Sequence, residues 1–410
     1  MSGRIAASLL RLGMTVLLAR VLTPTQYGLI ALLLNGGLLL SSILEMGLGA
    51  AFIERESKEP RGEVVRDRFT TLVRGRFWLW LGFLLVTATA LLWPLPARKM
   101  VLAFVLFGTG QNLCVSFQIV YQVRQNFAGY ARISLLFAGV QVLWSALLLL
   151  VFRVFGLPFD FFFWSMAVLG WVPLVALLRH SGVSLQQLLR RNWRSDFAYL
   201  RELFRFGKWV GLTTILTQGF SRYAVFLLGA AQALAEAGRY DIAMTVGRSV
   251  NNIVISTTAV LYPRFALQRQ KDSVRRSVYQ VLRIAGTAVA IGLAAYYLIG
   301  RWLVLWLFGP NYRASVTYLD ILIPGLLLPI LLEPVVGVVT FSMSRPRVIT
   351  AVRLAKLGLF VGLGSWVLNN FQVKGLAGLQ TILGVAETAA ILAFAFHWLR
   401  ASRRSGTHPG

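Results

Sequence analysis

The sequence predicts an all-α polytopic membrane protein, with about twelve transmembrane helices in two pseudo-symmetric six-helix bundles. Three observations predict it. Hydrophobic residues make up 57% of the 410 positions and charged residues only 14%, at a mean hydropathy of +0.68. A soluble chain carries about 25% charge, so lipid must be the solvent for most of this one. Apolar runs long enough to cross a bilayer recur along the whole chain, and the loops between them alternate in charge.

In order, the runs fall at 5–22, 28–53, 77–96, 100–120, 133–152, 160–178, 208–229, 240–262, 280–300, 316–342, 347–368 and 376–398. A helix of about 20 residues spans the hydrocarbon layer. Backbone groups in lipid need internal partners, so each run is expected to be helical. Arg11 interrupts the first run and no small-residue cleavage site closes it, so it reads as a retained span rather than a signal peptide.

Cations crowd alternate loops: Arg55 to Arg76 between spans 2 and 3, Arg179 to Lys208 between spans 6 and 7, and Arg264 to Arg283 between spans 8 and 9. Arg124 with Arg132, Arg345 with Arg347, and Arg400 with Arg403 and Arg404 continue the series. The other loops are sparse. This bias places both termini and the rich loops in the cytoplasm. The same rule accounts for the net charge of +26. A nucleic-acid binder would need a solvated basic domain, and the sequence offers none. Cys114 is the single cysteine and can form no internal disulfide.

The midpoint loop divides the chain. Residues 1–178 form an N-terminal six-helix bundle, 179–207 a cytoplasmic amphipathic linker, 208–398 a C-terminal six-helix bundle and 399–410 a cytoplasmic tail. Leu185, Leu188, Leu189, Trp193, Phe197, Leu200 and Leu203 alternate with arginines in the linker, a pattern expected to lie along the membrane surface. The junction Leu17 to Gly28 is echoed by Leu227 to Asp241, which favours a duplicated bundle.

Ionisable residues inside spans are functional candidates by default. They are Arg11, Glu45, Arg222, Arg248, Glu333, Arg353, Lys356 and Glu387. Arg11 and Arg222 occupy matching places in the two halves. Arg353 and Lys356, close to a span end, are expected to snorkel. Glu45, Glu333 and Glu387 are candidate counter-ions or coupling sites. Asp241 and Asp320 are expected to be solvated near outer ends, and Trp93, Trp171, Tyr296, Trp302 and Trp306 to form an interfacial belt. Pro324, Pro329 and Pro334 crowd into span 10 and are expected to break it into a hinge.

Several segments resemble one family. Leu18-Ala19-Arg20-Val21-Leu22-Thr23-Pro24 through Tyr27-Gly28 is similar to its opening motif, and Glu45 to Ile53 to the close of its second helix. Phe204-Arg205-Phe206-Gly207, Leu261-Tyr262-Pro263-Arg264 and Leu307-Phe308-Gly309-Pro310-Asn311-Tyr312 follow in order. The chain thereby resembles the polysaccharide-transport branch of the multidrug/oligosaccharidyl-lipid/polysaccharide exporter superfamily, the O-antigen and exopolysaccharide flippases. It begins almost directly on span 1, without the short cytoplasmic lead usual in that family, which fits an alternative start or a fragment.

The resemblance implies a MATE-like exporter fold and a multi-pass protein of the bacterial inner membrane. Its implied activity is alternating-access flipping of a polyprenyl-pyrophosphate-linked oligosaccharide to the outer leaflet, for O-antigen, capsule or exopolysaccharide synthesis. Membrane lipids and polysaccharide polymerase or export proteins are the implied partners. On that reading Arg222, Arg248 and Arg11 bind the pyrophosphate in a central cavity. Guanidinium forks match phosphate oxygens and stay protonated, which offsets the cost of placing such an anion in an apolar medium.

A cation-coupled drug exporter of the same fold is the rival, but it would favour acidic rather than basic cavity groups. An enzyme is disfavoured. His180, His397 and His408 are scattered, no carboxylate cluster accompanies them, and there is no glycine-rich phosphate loop with Lys and Ser or Thr. No catalytic residue, metal or cofactor is expected.

Overall fold

A computed structural model describes residues 2–56, 62–90, 98–124, 126–174, 177, 193–258, 282–283, 285–287, 289–337 and 346–404. Among these, helix is the only regular structure. In order come α1 (Ser2–Val21), α2 (Pro24–Glu45), α3 (Leu48–Glu56), α4 (Gly62–Ala90), α5 (Arg98–Val123), α6 (Phe127–Phe155) and α7 (Phe159–Val168). Then come α8 (Trp193–Ala230), α9 (Leu234–Thr258), α10 (Arg301–Phe308), α11 (Arg313–Leu327), α12 (Leu332–Gly337) and α13 (Pro346–Arg404). Among the described residues, five helical stretches are long and apolar enough to cross a membrane. The chain forms two compact units, Met1–Gly238 and Arg239–Gly410.

Local chemistry explains several ends. Thr23 caps α2 in a capping box with Gln26, and Pro24 supplies the first helical residue without wasting an N–H. Asn126 caps α6, which stops at Gly156 in a left-handed conformation. The last two spans are continuous in helical hydrogen bonding except at Gln372 (φ 55°, ψ −159°). Arg353 and Lys356 nonetheless reach Glu387. A straight helix would put residues 34 apart about 50 Å from one another, so the chain must reverse at Gln372 into an antiparallel hairpin, the two spans that the sequence predicts.

In the first unit α2 packs on α5 and α8, α1 on α6, and α3 on α5 and α8. Glycine permits the closest approach: a Cβ on Gly108 would stand 2.5 Å from the Gly37 carbonyl oxygen. Phe52, Phe69 and Phe117 form an aromatic chain in the core between α3, α4 and α5. In the second unit α11 and α12 pack on α13, where Gly384 would bring a Cβ to 2.9 Å from the Gly325 carbonyl oxygen.

The structure departs from the sequence expectations in three places. The apolar run 28–53 is two helices, because Met46 (φ 48°) and Gly47 (φ 73°) are left-handed and break it. The run 160–178 opens as α7 but turns at Leu169 to Pro173, where Trp171 donates its indole N–H to the Leu106 carbonyl at 2.6 Å. Residues 193–207 are continuous with span 7 as the first turns of α8.

That first part of α8 is clamped to α3 and α4. Arg74 grips Asp196 with two bonds of 2.6 and 2.5 Å, Arg55 meets Glu202 at 2.6 Å, and Glu56 accepts from Arg68 and from the Tyr199 hydroxyl. Burial and the Glu56 carboxylate both push the Tyr199 phenol well above its usual range, so it remains a donor. The Arg74–Asp196 pair is nearly sealed, with side chains 15% and 9% exposed. Asp196→Ala strands a buried guanidinium and is expected to lower stability by about 3 kcal/mol. Thermal unfolding of the purified protein checks it, and an unchanged Tm would contradict the clamp.

Candidate functional site

Arg222 projects from the middle of α8 and is 8% exposed. Its Nη1 donates to the Asn35 amide oxygen at 2.6 Å, while Nε and Nη2 donate to Gln218 one turn earlier at 3.1 and 2.8 Å. Asn35 is itself fixed by its NH2, which donates to the Ala31 carbonyl at 2.8 Å. Amide oxygens orient a guanidinium without cancelling its charge. The cation is thus held between α2 and α8.

Arg11 lies on α1, with its guanidinium 5.8 Å from the centroid of the Phe137 ring on α6. Arg248 belongs to the second unit. There it donates to the Met244 carbonyl and pairs at 3.4 Å with Asp241, two turns back on α9. Asp241 is therefore 6% exposed and paired, not solvated as its place near a span end suggested. Beside it the Tyr240 hydroxyl donates to Gln380 at 2.6 Å.

The acidic candidates separate by environment. Glu45 accepts from the Gly49 N–H at 3.0 Å, capping α3 across the Met46–Gly47 break, and lies 3.7 Å from Arg76. Glu387 accepts from Arg353 at 3.0 Å and Lys356 at 2.6 Å. The two cations are accordingly tied inward rather than snorkelling. Glu333 sits on α12, and its side chain lies outside the described residues. Asp320 accepts from the buried Tyr296 at 2.8 Å and from the exposed Arg301 at 2.9 Å, so it is half-buried and paired. Trp302 and Trp306 remain exposed and stacked. Trp93 lies outside the described residues.

Span 10 is broken where its prolines crowd. α11 contains Pro324, a 3₁₀ turn over Leu328–Leu331 follows with Pro329 at its start, and α12 carries Pro334. Each proline withholds one N–H from the helical ladder. As a hinge proposal, Pro329→Ala restores a donor and is expected to slow transport several-fold. A rate equal to wild type would remove the hinge.

Sequence reading missed Arg76, taken for a loop cation. It is in α4 and wholly buried. Its Nη1 donates to the Ser116 hydroxyl at 2.6 Å, whereas Nε and Nη2 have no hydrogen-bond partner among the described residues. The only signal was position: Arg76 directly precedes the apolar run, so a start two residues earlier would have placed it inside. Asn35, Gln218, Gln380 and Tyr240 were also missed, because neutral polar residues in a span carry no charge signal.

The motif segments prove to be places where backbones touch. Gly47, closing the first α2–α3 turn, lies against Gly207 of α8; a Cβ on Gly207 would stand 2.5 Å from the Gly47 carbonyl oxygen. A Cβ on Gly28 would overlap the Leu234 carbonyl, and one on Gly238 would come 2.8 Å from that of Pro24. Gly309, at φ 87°, makes the turn into Pro310–Tyr312, where Arg239 donates to the Asn311 carbonyl. Leu261 to Arg264 lie outside the described residues.

The same fold recurs in solved transporters. A multidrug resistance MATE family transporter of the MOP superfamily, inward-facing, matches with a TM-score of 0.70 at 12% identity, over 98% of this chain and 96% of that one. The lipid II flippase MurJ, in an inward closed conformation, matches at 0.61 and 10% identity, over 98% and 92%. A MOP superfamily transporter from Pyrococcus furiosus matches at 0.55 and 14% identity, over 98% and 93%. No curated protein sequence matches the chain. These likenesses show the fold, that of helical multi-pass membrane transporters. The model of the polysaccharide biosynthesis protein family matches residues 17–317. The chain belongs to that polysaccharide biosynthesis protein family.

Proposed function

We propose that the protein flips a polyprenyl-pyrophosphate-linked oligosaccharide from the cytoplasmic to the outer leaflet of a bacterial inner membrane, for assembly of a surface polysaccharide. One observation carries the reading: a polysaccharide-biosynthesis family match lies on an exporter fold that a lipid II flippase shares. The buried Arg222 supplies chemistry suited to the cargo. A pyrophosphate leaving water needs forked, permanent cations, and Arg222 is oriented in advance by Asn35 and Gln218. Arg248 and Arg11 are proposed as further headgroup contacts, with the polyprenyl tail in lipid. An inside-negative potential helps an anion outward by about 2.3 kcal/mol per charge per 100 mV. Both termini are proposed to face the cytoplasm, from the loop charge, and the chain to divide six plus six about residues 179–207, from the repeat.

The test is the leaflet distribution of lipid-linked oligosaccharide in cells lacking the protein. Accumulation in the cytoplasmic leaflet, relieved by the wild-type chain, is expected. Absence of any accumulation, with export of cationic dyes by the purified protein, would sink the flippase reading in favour of a drug exporter.

A further inference from the structure

Two cations in the second unit share one carboxylate. Arg353 and Lys356 lie one turn apart on the first arm of α13, and Glu387 faces both from the returning arm. The three side chains are 15%, 12% and 5% exposed. One turn away on either arm lie Ile349 and Ile391, packed with Leu332, Val335 and Ala395 in an apolar cluster. The three charged groups lie next to an apolar core, in which charge is costly to bury unless it is paired.

The arginine is engaged on one edge only. Its Nε donates to Glu387 Oε1 at 3.0 Å, and its two terminal nitrogens make no hydrogen bond among the described residues. Those nitrogens form the part of a guanidinium that matches two oxygens of a phosphate. Lys356 stands beside them as a compact point charge.

We propose that Arg353 and Lys356 form a second phosphate-binding site, separate from Arg222, at which Glu387 is a built-in competitor. The carboxylate holds both cations when no anion is present. A phosphate or pyrophosphate group takes the open edge of Arg353 and draws Lys356 from Glu387. The site rests on the flippase reading only for the source of the anion, a lipid-linked pyrophosphate rather than a free one.

A competitor and a ligand predict opposite signs, whereas a purely structural ion pair predicts neither. The probes are inorganic pyrophosphate and a short-chain polyprenyl diphosphate, bound to the full chain in nanodiscs of neutral lipid. Glu387→Gln removes the competitor and is expected to tighten binding on the order of tenfold, since a charge about 4 Å away acts strongly in a partly buried site. Arg353→Gln is expected to abolish that gain. Binding of the lipid-linked probe alone identifies a lipid headgroup; equal binding of both identifies free anion.

Thermal unfolding gives a readout where Glu387→Gln is weakly stable. Pyrophosphate should then raise its Tm more than that of wild type, and should not do so for Glu387→Gln with Arg353→Gln. Equal affinities and equal Tm shifts in all variants would overturn the site. Arg222→Gln separates the two proposals: if transport needs Arg222, it fails in that variant while the Glu387→Gln gain in binding persists.

Discussion

Arg222→Ala is expected to lower the rate of lipid-linked oligosaccharide flipping by about two orders of magnitude. A hydrogen bond to a charged group contributes about 1.5–3 kcal/mol, and each 1.36 kcal/mol is tenfold in rate. Arg222 has several such bonds to exchange between amides and cargo. Arg222→Lys should recover little, because an ammonium cannot bridge two phosphate oxygens in a plane. Asn35→Ala is the informative companion. It leaves the charge but frees one edge of the fork, so it should impair flipping less than Arg222→Ala. Proteoliposomes with a lipid-linked oligosaccharide scored for outward exposure supply the rates. Equal rates for wild type and Arg222→Ala would move the headgroup site elsewhere.

Gly207→Val is expected to lose more than about 3 kcal/mol of stability and most of the folded protein. Overpacking a tight contact typically costs 1–3 kcal/mol, occasionally more. Here the opposing atoms are backbone: the Gly47 carbonyl oxygen at 2.5 Å and its carbon at 2.9 Å from the new Cβ. Gly47 cannot retreat easily, because its φ of 73° suits glycine and because Glu45 caps α3 across the same turn. Gly82→Val is the matched control, since nothing lies within 4 Å of its Cβ position. Detergent-extracted yield and Tm read the difference. A Gly207→Val protein as stable as the control would show that α8 does not seat against the α2–α3 break.

Much of this fold was legible in one dimension. The Gln372 reversal falls between two apolar runs, and the broken span 10 follows from three prolines within eleven residues. Both are local facts, set by run length and by missing N–H donors. The break at Met46–Gly47 was not legible, because the run 28–53 is largely apolar and only the close passage of α8, through its Gly207 and Gly211, against Gly47 makes a left-handed turn worthwhile there.

The candidate site was legible in its charges and not in their partners. Arg222, Arg248 and Glu387 stand out as ionisable residues in apolar surroundings. Asn35 and Gln218 do not, and Asp241 looked like a solvated residue until its burial beside Arg248 was seen. By itself, then, the sequence determined the helical membrane class and the family motifs, because hydropathy and local residue pattern act along the chain. Tertiary structure alone decided that Arg222 meets Asn35 on α2, that Arg76 is sealed beside Ser116, and that Glu387 gathers two cations from the opposing arm. Such pairings depend on which helices touch and at what register, and side chains 31 to 187 residues apart carry no local signal of meeting.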